Sequence, residues 1–137
     1  NYISTMVDAI ENHKTIVTHH GRELIGVNRS YYRGHKNFRC LDENNTIKQI
    51  DVCGTGVTGF RTDYFNPTEL YKSKDKRMSD LVFSLETKKQ GKKITILAHS
   101  KGWIKSLPVD NASSIHVTEI NNEERQIEIA NEIWNLK

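Results

Sequence analysis

The chain has 137 residues, of which 36% are hydrophobic and 27% charged, and it carries a net charge of +3. That length supports a single core without disulfide or metal staples. No run approaches the roughly 18 consecutive apolar residues of a membrane-spanning helix, so no membrane partner is expected.

The predicted elements follow in chain order. Ile3, Met6, Val7 and Ile10 fall at i, i+3, i+4 and i+7, which predicts an amphipathic helix over 2–13. The segment Thr15 to His20 is β-branched and ends at Gly21, predicting a strand. Leu24 to Tyr32, Asn37 to Asp42 and Ile47 to Val52 read as three further strands, with turns at Arg33-Gly34-His35 and Glu43-Asn44-Asn45-Thr46. If the second turn closes a hairpin, Cys40 lies opposite Gln49 and Cys53 opposite Lys36, so a disulfide is not favoured. Two isolated thiols fit a reducing compartment, and the expected location is cytoplasmic.

Gly54, Gly56 and Gly59 then predict a bulge, a tight corner or a close backbone approach. Asp63 to Asp80 reads as a long charged loop. Leu81, Phe83 and Leu85 alternate with Val82, Ser84, Glu86 and Lys88, which predicts a strand over 81–88. Lys93 to His99 and Ile115 to Ile120 are further strands. A last helix begins at Asn121 as N-cap with Glu124 in the capping box, burying Ile127, Ala130, Ile133 and Trp134. The fold class expected is α+β: a small antiparallel, barrel-like sheet with an N-terminal and a C-terminal helix, in one domain over 1–137. A subdivision into 1–62 and 80–137 is the alternative. The chain begins at Asn1 rather than Met, which fits a domain excised from a longer protein, with flanking domains or self-association as expected partners.

Charge is unevenly placed. Lys14 to Lys105 holds 18 Lys/Arg against 9 Asp/Glu, whereas Ser106 to Lys137 holds 2 against 6. Within the basic region, Asn28 to Cys40 packs three Arg, one Lys and three aromatics into thirteen positions. Cations interleaved with rings suit an anionic partner with flat groups, a nucleotide or a nucleic-acid strand. The candidate ligand-binding residues are Arg29, Tyr31, Tyr32, Arg33, Lys36, Phe38, Arg39 and Arg61. Guanidinium groups supply planar forks of donors to phosphate, and Tyr31, Tyr32 or Phe38 supply stacking. The competing reading is a solvated sheet face whose arginines cover apolar rings.

Other motifs carry different chemistry. Ala98-His99-Ser100-Lys101-Gly102 after a strand has the shape of a hydrolase nucleophile elbow, with Asp110 and His116 following in the required order. Too little chain follows it, and no parallel βαβ pattern accompanies it, so a turn with a surface serine is the better reading. Gly54-Thr55-Gly56-Val57-Thr58-Gly59 matches a dinucleotide fingerprint in letters but does not open a helix. Glu86-Thr87-Lys88 on a strand, with Asp80 or Asp63 as second carboxylate, resembles the metal-binding core of PD-(D/E)xK nucleases. Magnesium enters only with that enzyme reading; otherwise no cofactor, metal or catalytic residue is expected. His19 and His20 are adjacent, so on a strand they face opposite ways and make a poor chelating pair.

Ala9-Ile10, His13-Lys14, Ile16-Val17, Arg22, Ile25, Phe38-Arg39-Cys40-Leu41-Asp42 and Ile47-Lys48-Gln49-Ile50, in that order behind a helix, resemble the WYL domain of bacterial transcriptional regulators over about residues 2–61. The resemblance implies a small SH3/Sm-like β-barrel that senses nucleic acid or a nucleotide-like ligand through a basic pocket, with Arg29, Arg39 and Arg61 nearest in kind to its charged residues. Non-enzymatic binding of an anionic ligand in a regulatory setting is therefore the expected function. The nuclease, and an interaction or assembly module of a larger complex, are the alternatives.

Overall fold

A computed structural model describes residues 1–26, 30–75, 77–108 and 123–137. Helix α1 spans Tyr2–His13, with the Asn1 side chain accepting from the amides of Ile3 and Ser4. Its C-cap Lys14 has φ 53°, a left-handed turn into strand β1, Ile16–Thr18. Strands β2 (Gly21–Leu24), β3 (His35–Phe38), β4 (Lys48–Ile50) and β5 (Val52–Cys53) follow. A 3-10 turn at Thr55–Val57 leads to β6, Thr58–Gly59. Helix α2 is Ser79–Lys89, β7 is Ile94–Ile96, and helix α3 is Glu123–Asn135. The strand expected over Ile115 to Ile120 and the Asn121 cap lie outside the described residues.

The strands form two sheets, ordered β4-β7-β1-β6 and β3-β2-β5. The α+β class holds, with a helix toward each end of the chain. Among the described residues the sheets do not close into a barrel, and β1 runs parallel to β7, with Ile16 opposite Ile94. The expected hairpin across 43–46 does not form. Strand β3 pairs instead with β2, Gly21 opposite Phe38, and β4 pairs with β7, Ile50 opposite Ile94. The switch between sheets occurs at Asp51, which interrupts the single strand expected over 47–52.

Three apolar clusters explain the layering. Met6 from α1 meets Val17 and Leu97 on one face of the four-stranded sheet. The opposite face supplies Ile16, Ile50, Ile94 and Ile96, which pack with Phe38, Cys53, Phe65 and Phe83. Leu24, Tyr31, Val52, Met78 and Leu81 meet Ile129, Ala130 and Ile133 of α3. Fully burying each aliphatic or aromatic side chain of this kind contributes about 1.5–3 kcal/mol.

The segment 81–88 is helical, not extended. Because α2 is wedged between two clusters, it sends Phe83 into one and Leu81 into the other, and its apolar residues show no single stripe. Ser84 and Thr87 return their hydroxyls to the carbonyls of Asp80 and Phe83, satisfying polar groups inside the core. Gly91, with φ +66°, ends the helix as its amide meets the Lys88 carbonyl and the Lys92 amide meets that of Thr87.

Two contacts lock β5 in place. Gly21 sits so close to it that an added Cβ would collide with Ile50 Cδ1 and the Val52 carbonyl. Asp51, 2% exposed, accepts from the Leu24 amide at 2.8 Å and pairs with Lys88 at 3.3 Å and Lys137 at 2.9 Å. The Lys137 ammonium also donates to the Leu24 carbonyl and lies 4.8 Å from the Trp134 ring centroid, tying α3 to β2.

Candidate functional site

Strand β3 forms one edge of the three-stranded sheet, and its flanks carry the cations that the sequence singles out. Lys36 stands opposite Glu23 and Asn37 opposite Arg22. Glu23 is taken by Lys48 at 2.6 Å, so it does not neutralise Lys36. Lys36 and Lys48 both lie near the Phe38 ring, 5.3 and 5.7 Å from its centroid. Arg33 in the turn before β3 and Arg39 directly after it are exposed. Neither they nor Lys36 form an ion pair with another described residue.

The remaining candidates are placed differently. Arg61 pairs with Glu11 at 2.9 Å and Asp63 at 2.7 Å, hydrogen bonds that raise its pKa and occupy its fork. It belongs to the α1 side and does not join the β3 cations. Tyr31 and Phe38 are core residues, 5% and 6% exposed, and their rings are not available for stacking. Tyr32 is half-buried with its ring 5.5 Å from that of Tyr31. Arg29 lies outside the described residues. Arg22, not among the sequence candidates, lies 4.9 Å from the Tyr31 ring centroid and donates to the Tyr31 hydroxyl. Burial is the main cause that pushes the Tyr31 phenol up to about 12. Arg22 lies within β2 and Tyr31 nine positions further on, in the turn before β3, a spacing with no periodic signal in the sequence.

The nuclease residues do not converge. On a helix, positions i and i+2 diverge by about 200°, so Glu86 and Lys88 lose the shared direction that a strand would give them. Asp80 accepts from the Thr55 amide and hydroxyl, Lys88 turns to Asp51, and Glu86 takes the Glu69 amide at 3.0 Å. Among the described residues, no three His, Cys, Asp or Glu side chains are grouped to hold a metal ion. In the elbow-like turn Ser100 is exposed and Gly102 has φ +75°, while Asp110 and His116 lie outside the described residues.

Histidines mark the carboxyl ends of β1 and β7. His19 and His99 are buried side by side, Nδ1 to Nδ1 3.3 Å, and the Nε2 atom of each has no hydrogen-bond partner. Trp103 covers His19 at 4.9 Å between ring centroids. Neighbouring His20 instead packs on Gly54, where an added Cβ would lie 2.7 Å from its Cδ2, and accepts from the Cys40 amide. The glycine therefore serves a close approach, one of the roles expected for it. Cys53 is buried, and desolvation pushes its thiol up to about 12, which makes it a poor nucleophile.

Burial first, then the His99 charge, lowers the His19 pKa from 6.5 to about 4. Burial also lowers His20 and His35. Between about pH 6.5 and 4 the unfolded chain binds protons at His19 that the folded chain refuses, so stability is full above this window and falls through it on acidification. The expected result is a urea midpoint that drops steadily between pH 7 and 4.5, less steeply in His19→Gln. An unchanged slope in that variant would show that His19 titrates freely.

No protein-family model matches this chain, and no curated protein matches it.

Proposed function

We propose that this domain binds an anionic ligand, nucleic acid or a nucleotide, without catalysing a reaction, in a regulatory setting of the kind implied by the WYL-like pattern. One observation supports the reading above others: Arg33, Lys36 and Arg39 are exposed around one edge strand and form no ion pair with a described residue. Eight other described cations, Lys14, Lys48, Arg61, Lys72, Lys88, Lys89, Arg125 and Lys137, are each matched to a carboxylate, while Lys74, Lys93, Lys101 and Lys105 are exposed and without an ion pair as well but do not flank β3 in the chain. Unmatched cations on and beside an edge strand can take phosphate groups without first breaking an internal pair.

The burial of Tyr31 and Phe38 refines the proposal. With those rings withdrawn, phosphate contacts dominate over base stacking, so affinity depends on charge more than on sequence. Three neutralised phosphates give a slope of log K against log salt of about −2 for a single strand and about −3 for a duplex. Fluorescence anisotropy with labelled oligonucleotides over a potassium chloride series reads this slope. The combined variant Arg33→Ala, Lys36→Ala, Arg39→Ala should flatten it toward zero while its unfolding midpoint stays unchanged. No binding at low salt, or an unaltered slope in the variant, would overturn the reading.

A further inference from the structure

Strand β2 is the centre of the three-stranded sheet, one strand inward of the β3 edge. Its Arg22 stands opposite Asn37 of β3 and Val52 of β5. One position past the Gly21–Phe38 pair, His20 and Arg39 come alongside each other, and the Cys40 amide donates to His20 Nδ1. Residues two apart on a strand share a face, so His20, Arg22 and Arg39 gather on one side of the sheet. The charges agree with this placement. Burial, then the Arg22 charge, lowers the His20 pKa; the Asp80 charge opposes them and the Arg39 charge adds to them.

Arg22 is half-buried, yet it has no ion pair with a described residue. Its Nη1 donates to the Tyr31 hydroxyl. Of its two nitrogens without a partner among the described residues, only Nε is enclosed, which leaves Nη2 as a donor open to a ligand. Because His20 Nδ1 accepts, the neutral imidazole carries its proton on Nε2, a further donor that no described residue takes. Arg39 is exposed and unpaired. Asp80, the carboxylate whose charge reaches His20, is held at Oδ1 by the Thr55 amide and hydroxyl. Two guanidinium groups against one carboxylate leave a positive excess, and its half-buried part is costly without a counter-ion. A strand following the β3 edge passes Arg39 with singly charged diester phosphates. Only a group projecting inward reaches Arg22, and a terminal phosphate does so with two charges and three free oxygens.

We propose that His20, Arg22 and Arg39 bind a terminal phosphate monoester, with Arg22 Nη2, the Arg39 guanidinium and His20 Nε2 donating to its oxygens. This rests on the reading of the β3 edge as an anion-binding surface. The end of a nucleic-acid strand and a free mononucleotide share this chemistry. Fluorescence anisotropy at low salt compares a decathymidylate bearing a 5′-phosphate with a hydroxyl-ended dodecathymidylate, which matches it in charge. The phosphorylated strand is expected to bind about ten-fold tighter, and Arg22→Gln to remove the difference. AMP added to the 15N-labelled protein is expected to shift the Arg22, Arg39 and Cys40 amides, and adenosine is not. A response to AMP without a strand preference assigns a free nucleotide; a strand preference assigns a strand end. If Arg22→Gln fails to fold, the His20 imidazole decides, because whichever of the two phosphates binds should raise its pKa by favouring the protonated ring. No strand preference together with no response to AMP, a preference that persists in folded Arg22→Gln, or a His20 pKa unmoved by the bound phosphate would each overturn the proposal. Hydroxyl-ended strands that still bind with the salt slope given above would leave the edge reading standing, whereas loss of all oligonucleotide and AMP binding would overturn both.

Discussion

Replacing Asp51 with Ala is expected to lower the free energy of unfolding by about 3 kcal/mol in urea titrations. The carboxylate is 2% exposed and holds three groups from separate parts of the chain: the Leu24 amide, the Lys88 ammonium and the Lys137 ammonium. Its removal strands a buried amide and leaves two cations facing each other across an apolar gap. Lys88 and Lys137 side chains are 17% and 38% exposed, so water relieves part of that repulsion. For this reason the expected loss sits at the low end of the range for breaking buried pairs. Asp51→Asn should cost less, because the carboxamide oxygen still accepts from Leu24. A loss below about 1 kcal/mol for the Ala variant would mean that both lysines rotate into solvent without penalty.

Gly21→Ala should destabilise by a similar amount, about 3 kcal/mol, through overpacking. The added methyl meets Ile50 Cδ1, which can rotate, but also the Val52 carbonyl, which is backbone and cannot. Relief requires β5 to move from β2, opening the Gly21–Cys53 and Arg22–Val52 register. Cys53 and Val52 belong to different apolar clusters, so the displacement disturbs both sides of the sheet. Chemical denaturation and the amide spectra of Val52 to Gly54 read the effect. A fully stable variant with an unshifted β5 would show that the strands are less tightly apposed.

Local pattern foretold the helices at the ends well and the middle poorly. The periodicity over 2–13 found α1, but the buried face turned out to be Met6 with Tyr2, Ala9 and Ile10, while Ile3 and Val7 remain exposed. In α3 the expected Ala130 and Ile133 are buried, joined by Ile129, while the expected Ile127 and Trp134 are only half-buried. Segment 81–88 misled because alternation in a short apolar run cannot separate a half-buried strand from a helix buried on two sides. The ending Lys88-Lys89-Gln90-Gly91 held the missing signal, cations in a last turn followed by a glycine. For the candidate site, the exposure of Arg33, Lys36 and Arg39 follows from their chemistry. The removal of Arg61 by Glu11, 50 positions away, depends on how α1 docks and has no local trace. Likewise, nothing near Phe38 or Tyr31 separates a core ring from a stacking ring.

The placement of β1 bears on how the chain reaches its native state. This early strand has β6 on one side and β7 on the other, and the hydroxyl contact beside the β7 pairing joins Thr15 to Thr95 across 80 positions. Closing so large a loop costs entropy before any pairing repays it, which places assembly of that sheet late and makes refolding slow for the chain's size. Until Ile94–Ile96 arrives, Ile16 and Val17 lack their parallel neighbour, and this interval is when self-association competes most strongly with folding.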